Sequence, residues 1–136
     1  WERAQILEED DPHTALEELS QVVARNPNNW MAYYARGRLA RESGNPGLAL
    51  ADFAEASRLA GNDPTPRCQR GRVLRMLGRL AEALAEDALA EKLAPRSPLV
   101  YAWRAATHTA RKNHAAAVLD CERALELDPE SPDLLE

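Results

Sequence analysis

Apolar and small residues recur along the chain at helical spacing and stop at regular intervals. Tyr33, Gly37 and Ala40 mark one face before a break at Ser43-Gly44-Asn45-Pro46, and Ala49, Phe53, Ala56 and Leu59 mark the next face at steps of four, three and three. Such spacing predicts amphipathic helices, and Gly44 is the residue type that ends one in a left-handed turn. The phrase returns with Gly71, Leu74, a break at Gly78, then Ala83, Ala90 and Leu93. It returns again with Tyr101, Ala105, His108, a break at Lys112-Asn113, then Ala117, Cys121, Ala124 and Leu127. Starts are marked as regularly: Asp63-Pro64, Ser97-Pro98 and Ser131-Pro132 stand 34 residues apart, and Asn29 holds the same place before Trp30. Each pairs a capping residue with one suited to a first helical turn. Eight helical segments are predicted, with turns near Asp11, Gly44, Gly78 and Asn113 within units and near Pro27, Asn62, Arg96 and Glu130 between them.

Turns this short make neighbouring helices antiparallel. The expected fold class is all-α: an α-solenoid of helical hairpins, about four units with the first incomplete. The units run 1–29, 30–63, 64–97 and 98–131 in a single domain 1–136, with 132–136 opening a further helix. Ser131 to Leu135 reads as a capped first turn, which implies that the protein continues past both ends and that exposed end repeats favour self-association.

The 34-residue period with Tyr33, Gly37, Ala49, Phe53, Ala56 and, one unit later, Pro95 resembles the tetratricopeptide repeat, and the resemblance runs through the whole chain. Three positions depart from that pattern. Ala105 replaces the close-packing glycine, His108 stands where an aromatic is usual, and Asp87 takes the place of Phe53.

Arg36, Arg70 and Arg104 keep the period, and sixteen residues after each comes an acid, Asp52, Glu86 and Asp120. These positions face each other across a hairpin, so one partly buried ion pair per unit is expected. A second set of arginines reads differently. The resemblance implies a concave groove lined by positions two, five, nine, twelve and thirteen of each first helix. Mapped here, it offers Tyr34, Arg38, Arg41, Arg72, Arg75 and Met76 as a peptide-binding groove, with Met31, Thr65, Cys68 and Leu99 at further groove positions. Arginine forks suit carboxylates. Charge partition agrees, since eight of seventeen basic side chains but only four of twenty-two acids lie between Arg36 and Arg75.

A net charge of −5 argues against a nucleic-acid partner, and no apolar run approaches membrane-spanning length. An acidic segment of another protein fits better. The clamp by which chaperone-binding members hold a C-terminal carboxylate is missing, because Tyr34, Arg38, Gln69, Leu99 and Trp103 stand at its places. The asparagine ladder of sugar-transferring members is missing too.

His108 and Cys121 are the one pair that could pass for nucleophilic chemistry, and both are expected in the core. Cys68 is expected on the groove beside Arg72, whose charge would lower its pKa. His13 and His114 have no ligand-spaced partners, so neither a metal site nor a cofactor is expected, and no residue is assigned to catalysis. Two cysteines in no redox spacing mildly favour a reducing, cytoplasmic compartment. The function expected is a non-catalytic protein-interaction module. The alternative is an accessory, substrate-recruiting or scaffold domain of a larger enzyme or secretion machine.

Overall fold

In the computed structural model, residues 12–128 are described. They form seven helices: α1 (Pro12–Arg25), α2 (Trp30–Glu42), α3 (Pro46–Ala60), α4 (Thr65–Met76), α5 (Leu80–Leu93), α6 (Pro98–Ala110) and α7 (His114–Leu127). The expected first helix, the turns near Asp11 and Glu130, and the helix opened by Ser131 lie outside the described residues. No strand occurs among those described. The chain divides into two compact units, Trp1–Gly61 with α1 to α3 and Asn62–Glu136 with α4 to α7.

The first unit is built on α2 and α3, which pack as an antiparallel hairpin with α1 against α2. Ala40 and Ala49 have no exposed surface, and neither have Phe53 and Ala56. Alanine at the crossing lets two backbones approach closely, and Gly37 carries the same logic further. A Cβ built on Gly37 would lie 2.9 Å from the Phe53 ring and 3.2 Å from Cβ of Asp52. The aromatic fills the space that the missing side chain leaves.

The second unit repeats the hairpin twice, as α4 with α5 and α6 with α7, and α6 also lies against α5 and α4. Ala83 and Ala90 are fully buried on α5, and Ala117 and Ala124 are buried on α7. Cys68, Ala90 and Val100 form a buried cluster, with Ala94 and Trp103 packed on it.

The turns inside the three hairpins share one hydrogen-bond pattern. The amide of Asn45 donates to Ala40 (2.8 Å), that of Arg79 to Leu74 (2.9 Å) and that of Asn113 to His108 (2.8 Å). Each closes a Schellman motif around a residue with positive φ: Gly44 at 80°, Gly78 at 78° and Lys112 at 63°. Lys112 is the exception, an L-residue in a conformation that glycine adopts without steric cost. Starts are capped as the residue types suggest at Asn29, Asn45 and Asn113, whose side chains accept from the Met31, Leu48 and Ala116 amides, whereas α4 begins one residue later than expected, with Pro64 at its cap and Asp63 accepting from the Thr65 amide. Ser97 has extended backbone but makes no side-chain cap bond.

Candidate functional site

The arginine-acid pairs form once per hairpin. Nε and Nη2 of Arg36 donate to both carboxylate oxygens of Asp52 at 2.8 and 2.7 Å, and Nη1 reaches the Ser20 hydroxyl on α1 at 3.3 Å. Arg104 grips Asp120 with the same two-pronged geometry at 2.9 and 2.8 Å and reaches Glu91 at 2.5 Å. Hydrogen bonding to their carboxylates raises the pKa of both guanidinium groups. Glu86 takes Arg70 at 2.8 Å and Arg67 at 3.4 Å. The carboxylates of Asp52, Glu86 and Asp120 are buried, so the charges are consumed inside each hairpin and are unavailable to a ligand.

The other four arginines divide by position. In the first unit Arg38, at the ninth place of α2, is exposed, and its guanidinium carbon lies 6.0 Å from the centre of the Tyr34 ring. Tyr34 is itself fixed, with its ring 5.8 Å from Trp30 in edge-to-face geometry and 5.7 Å from Phe53. Arg38 and Glu42 border a cleft of about 220 Å³ lined also by Leu19, Ala35 and Leu39. Arg41, one turn on, keeps only 11% of its side chain exposed, with Glu42 at 3.8 Å.

The second unit follows the same division. Arg72 is exposed and makes no ion pair or hydrogen bond among the described residues. Arg75 is half-buried and donates from Nη1 to the Thr107 hydroxyl at 3.2 Å. Thr107 in turn donates to Oδ2 of Asp87 at 2.7 Å. Burial lowers the pKa of Arg75 and raises that of Asp87, the Thr107 hydrogen bond opposing the latter shift. Met76 ends the face with 65% of its surface in solvent. Among the four arginines, the two at the ninth position present charge to solvent. The two at the twelfth are partly buried, Arg75 with its guanidinium on Thr107.

Both cysteine expectations are overturned. Cys68 is buried against Ala90 and Val100, and burial, with Asp87, Asp63 and Glu86 nearby, pushes its thiol up to about 12 instead of down. Arg75 contributes a smaller opposing effect, too small to activate the thiol. Cys121 is exposed, because no described helix follows α7 to cover it as α6 covers Asp87, its counterpart one period earlier. His108 is half-buried beside Asp120 at 3.6 Å, with Nδ1 buried and unbonded. It does not share an enclosed site with Cys121.

Sequence reasoning missed Thr107. It stands where Leu39 and Val73 stand two periods and one period earlier, and the available signal was Asp87 itself. A carboxylate at a buried helical position requires a donor from the helix packed on it. Among the described residues no group of His, Cys, Asp and Glu is arranged to hold a metal ion, and no helix is long and apolar enough to cross a membrane.

A family model described as Tetratricopeptide repeat matches residues 7–64 and 68–132. No curated protein sequence matches. Among solved structures, the chain is similar to TTC0263, a thermophilic TPR protein of Thermus thermophilus, at 24% identity and TM-score 0.79, covering 91% of this chain and 69% of that one. It is similar to MamA 41-end of Desulfovibrio magneticus RS-1 at 19% identity and TM-score 0.76, covering 98% and 76%. It is also similar to the first TPR of Spaghetti (RPAP3) bound to the HSP90 peptide SRMEEVD, at 22% identity and TM-score 0.71, covering 78% and 86%. These likenesses show the fold, an all-α arrangement of antiparallel hairpins of the TPR solenoid type. With its 34-residue phrase, its alanine and glycine crossings and nearly its whole length matched, the chain belongs to the tetratricopeptide repeat family.

Proposed function

We propose that this protein is a non-catalytic interaction module that takes an acidic segment of a partner protein on the exposed faces of its first helices. The observation that carries the reading is the pair Arg38 and Arg72. Both hold the ninth position of their repeat units, 30–63 and 64–97, both are exposed, and neither is tied to a carboxylate among the described residues, whereas Arg36, Arg70 and Arg104 are all spent on internal acids. A solvated cation left without an internal partner at a repeated position is suited to an external anion. Tyr34 offers a fixed aromatic surface beside Arg38, and Met76 an exposed, adaptable apolar side chain four residues beyond Arg72. Arg41 and Arg75 lend positive potential from beneath.

The solved relative carrying an HSP90 peptide ending in Glu-Glu-Val-Asp supports the class of ligand. This chain has other residues at the places of the chaperone clamp, so its acidic partner is a different one. The same faces serve whether the protein acts alone or recruits substrates to a larger machine.

The test is fluorescence anisotropy with an acidic peptide across a salt series. Affinity is expected to fall as ionic strength rises from about 0.05 to about 0.5 M, a change that shortens the screening length from ~14 to ~4 Å. Salt-independent binding, or equal affinity for a lysine-rich control, contradicts the reading.

Self-association is a second reading, supported by Val118 and Leu119 on α7, which are 54% and 66% exposed, beside the exposed Cys121. Sedimentation over a concentration range tests it. A single monomeric species throughout rejects it.

A further inference from the structure

Between the N-terminal ends of α4 and α6, within the second unit, lies a slot of about 60 Å³ whose walls include Thr65, Cys68, Leu99, Val100 and Trp103. Cys68 and Val100, which line it, belong to the buried cluster with Ala90, and Thr65 and Leu99 are exposed. A water molecule needs polar partners as well as room, and these walls supply few. The space suits a few methyl groups and is too small for an aromatic ring. Its one thiol is held neutral by burial, so the slot offers packing and no chemistry.

Arg72 supplies the second observation. It lies four residues beyond Cys68 on α4, hence on the same helical face and about 6 Å further along the axis. In an extended peptide, side chains two residues apart point the same way and are separated by roughly 6.6 Å. The two spacings match.

Resting on the acidic-segment reading above, the geometry points to the slot as a binding site for one aliphatic side chain of that segment, placed two residues from a carboxylate held by Arg72. The partner is therefore an extended segment of the form aliphatic-x-acid. Charge complementarity at Arg72 and an apolar mouth beside it select this occupant over an acidic run lacking aliphatic residues.

Two labelled acidic peptides test the assignment by anisotropy, one containing Leu-x-Glu and the other Ala-x-Glu at the same place. The leucine peptide is expected to bind at least about tenfold more tightly to the wild-type protein. Thr65→Trp, which fills the mouth from an exposed position, is expected to remove that increment, so that the two peptides bind the variant alike. Leu99→Ser, removing a half-exposed wall, serves as the second variant, with circular dichroism confirming helicity in both. Salt-sensitive binding with no leucine increment overturns the slot alone, as does an increment that survives both variants. Absence of salt-sensitive binding by either peptide overturns the acidic-segment reading and this inference with it.

Discussion

Thr107 donates its hydroxyl proton to Oδ2 of Asp87 at 2.7 Å while its own oxygen accepts from Arg75 at 3.2 Å, so a threonine joins a buried carboxylate to a half-buried guanidinium. Oδ1 of Asp87 is buried without a hydrogen-bond partner, and burial holds its carboxyl above the ordinary aspartate range. Thr107→Val removes the donor and is expected to destabilise the fold by about 1 to 3 kcal/mol at neutral pH, as read by denaturant unfolding.

The pH dependence follows from the sign of the Asp87 shift. The native state holds this proton more tightly than the unfolded chain, so Asp87 erodes stability as pH rises from the usual carboxylate range through its raised native pKa. Asp87→Asn keeps an acceptor for Thr107 and carries no charge. It is expected to be more stable than wild type at neutral pH, with the gain shrinking as pH falls below that window. Urea denaturation from acid to neutral pH checks this, and a gain that grows towards acid contradicts it.

The hairpins, their phase and the sixteen-residue ion pairs were legible because each depends on local periodicity and one fixed crossing. Arg36 with Asp52 and Arg104 with Asp120 form as the spacing predicts. What escaped depends on which helix lies over a given residue. Repeat register alone places Cys68 on an open face and Cys121 in the core. Val100 and Trp103 of the neighbouring α6 close over the first, and no described helix closes over the second. Register alone likewise makes Arg75 a groove cation, because its partner Thr107 sits two helices on. Of the six proposed groove residues, Arg38, Arg72 and Met76 are exposed, and Tyr34, Arg41 and Arg75 are partly buried.

The cysteines offer a simple check on that correction. A thiol reagent is expected to label Cys121 rapidly in the native protein and Cys68 only on unfolding, since Cys68 is both enclosed and raised to about 12. Fast modification of Cys68 in the native state, read by peptide mapping, contradicts its burial.

Gly37→Ala places a methyl group 2.9 Å from the Phe53 ring. The expected loss is about 1 to 3 kcal/mol through overpacking, measured by denaturant unfolding. Gly71→Ala meets Oδ1 of Asp87 at 3.2 Å and is expected to cost less. Equal, near-zero effects at both sites contradict the crossing geometry.

Lys112→Gly makes the third hairpin turn like the first two. Relieving a left-handed lysine at φ 63° is expected to stabilise the protein by up to about 1 kcal/mol, the steric gain being partly offset by glycine's greater freedom in the unfolded chain. A lower melting temperature for this variant contradicts the strain at Lys112.

Reversing Arg38 and Arg72 together to glutamate, then measuring both melting and affinity for an acidic peptide, tests the proposed binding role of the two exposed helix faces most directly. Both side chains are exposed and neither has a carboxylate partner among the described residues. The account predicts an unchanged helical spectrum, a melting temperature within a few degrees of wild type and loss of detectable peptide binding. Full retention of affinity by the folded double variant contradicts it, and so does unfolding, which makes these arginines structural.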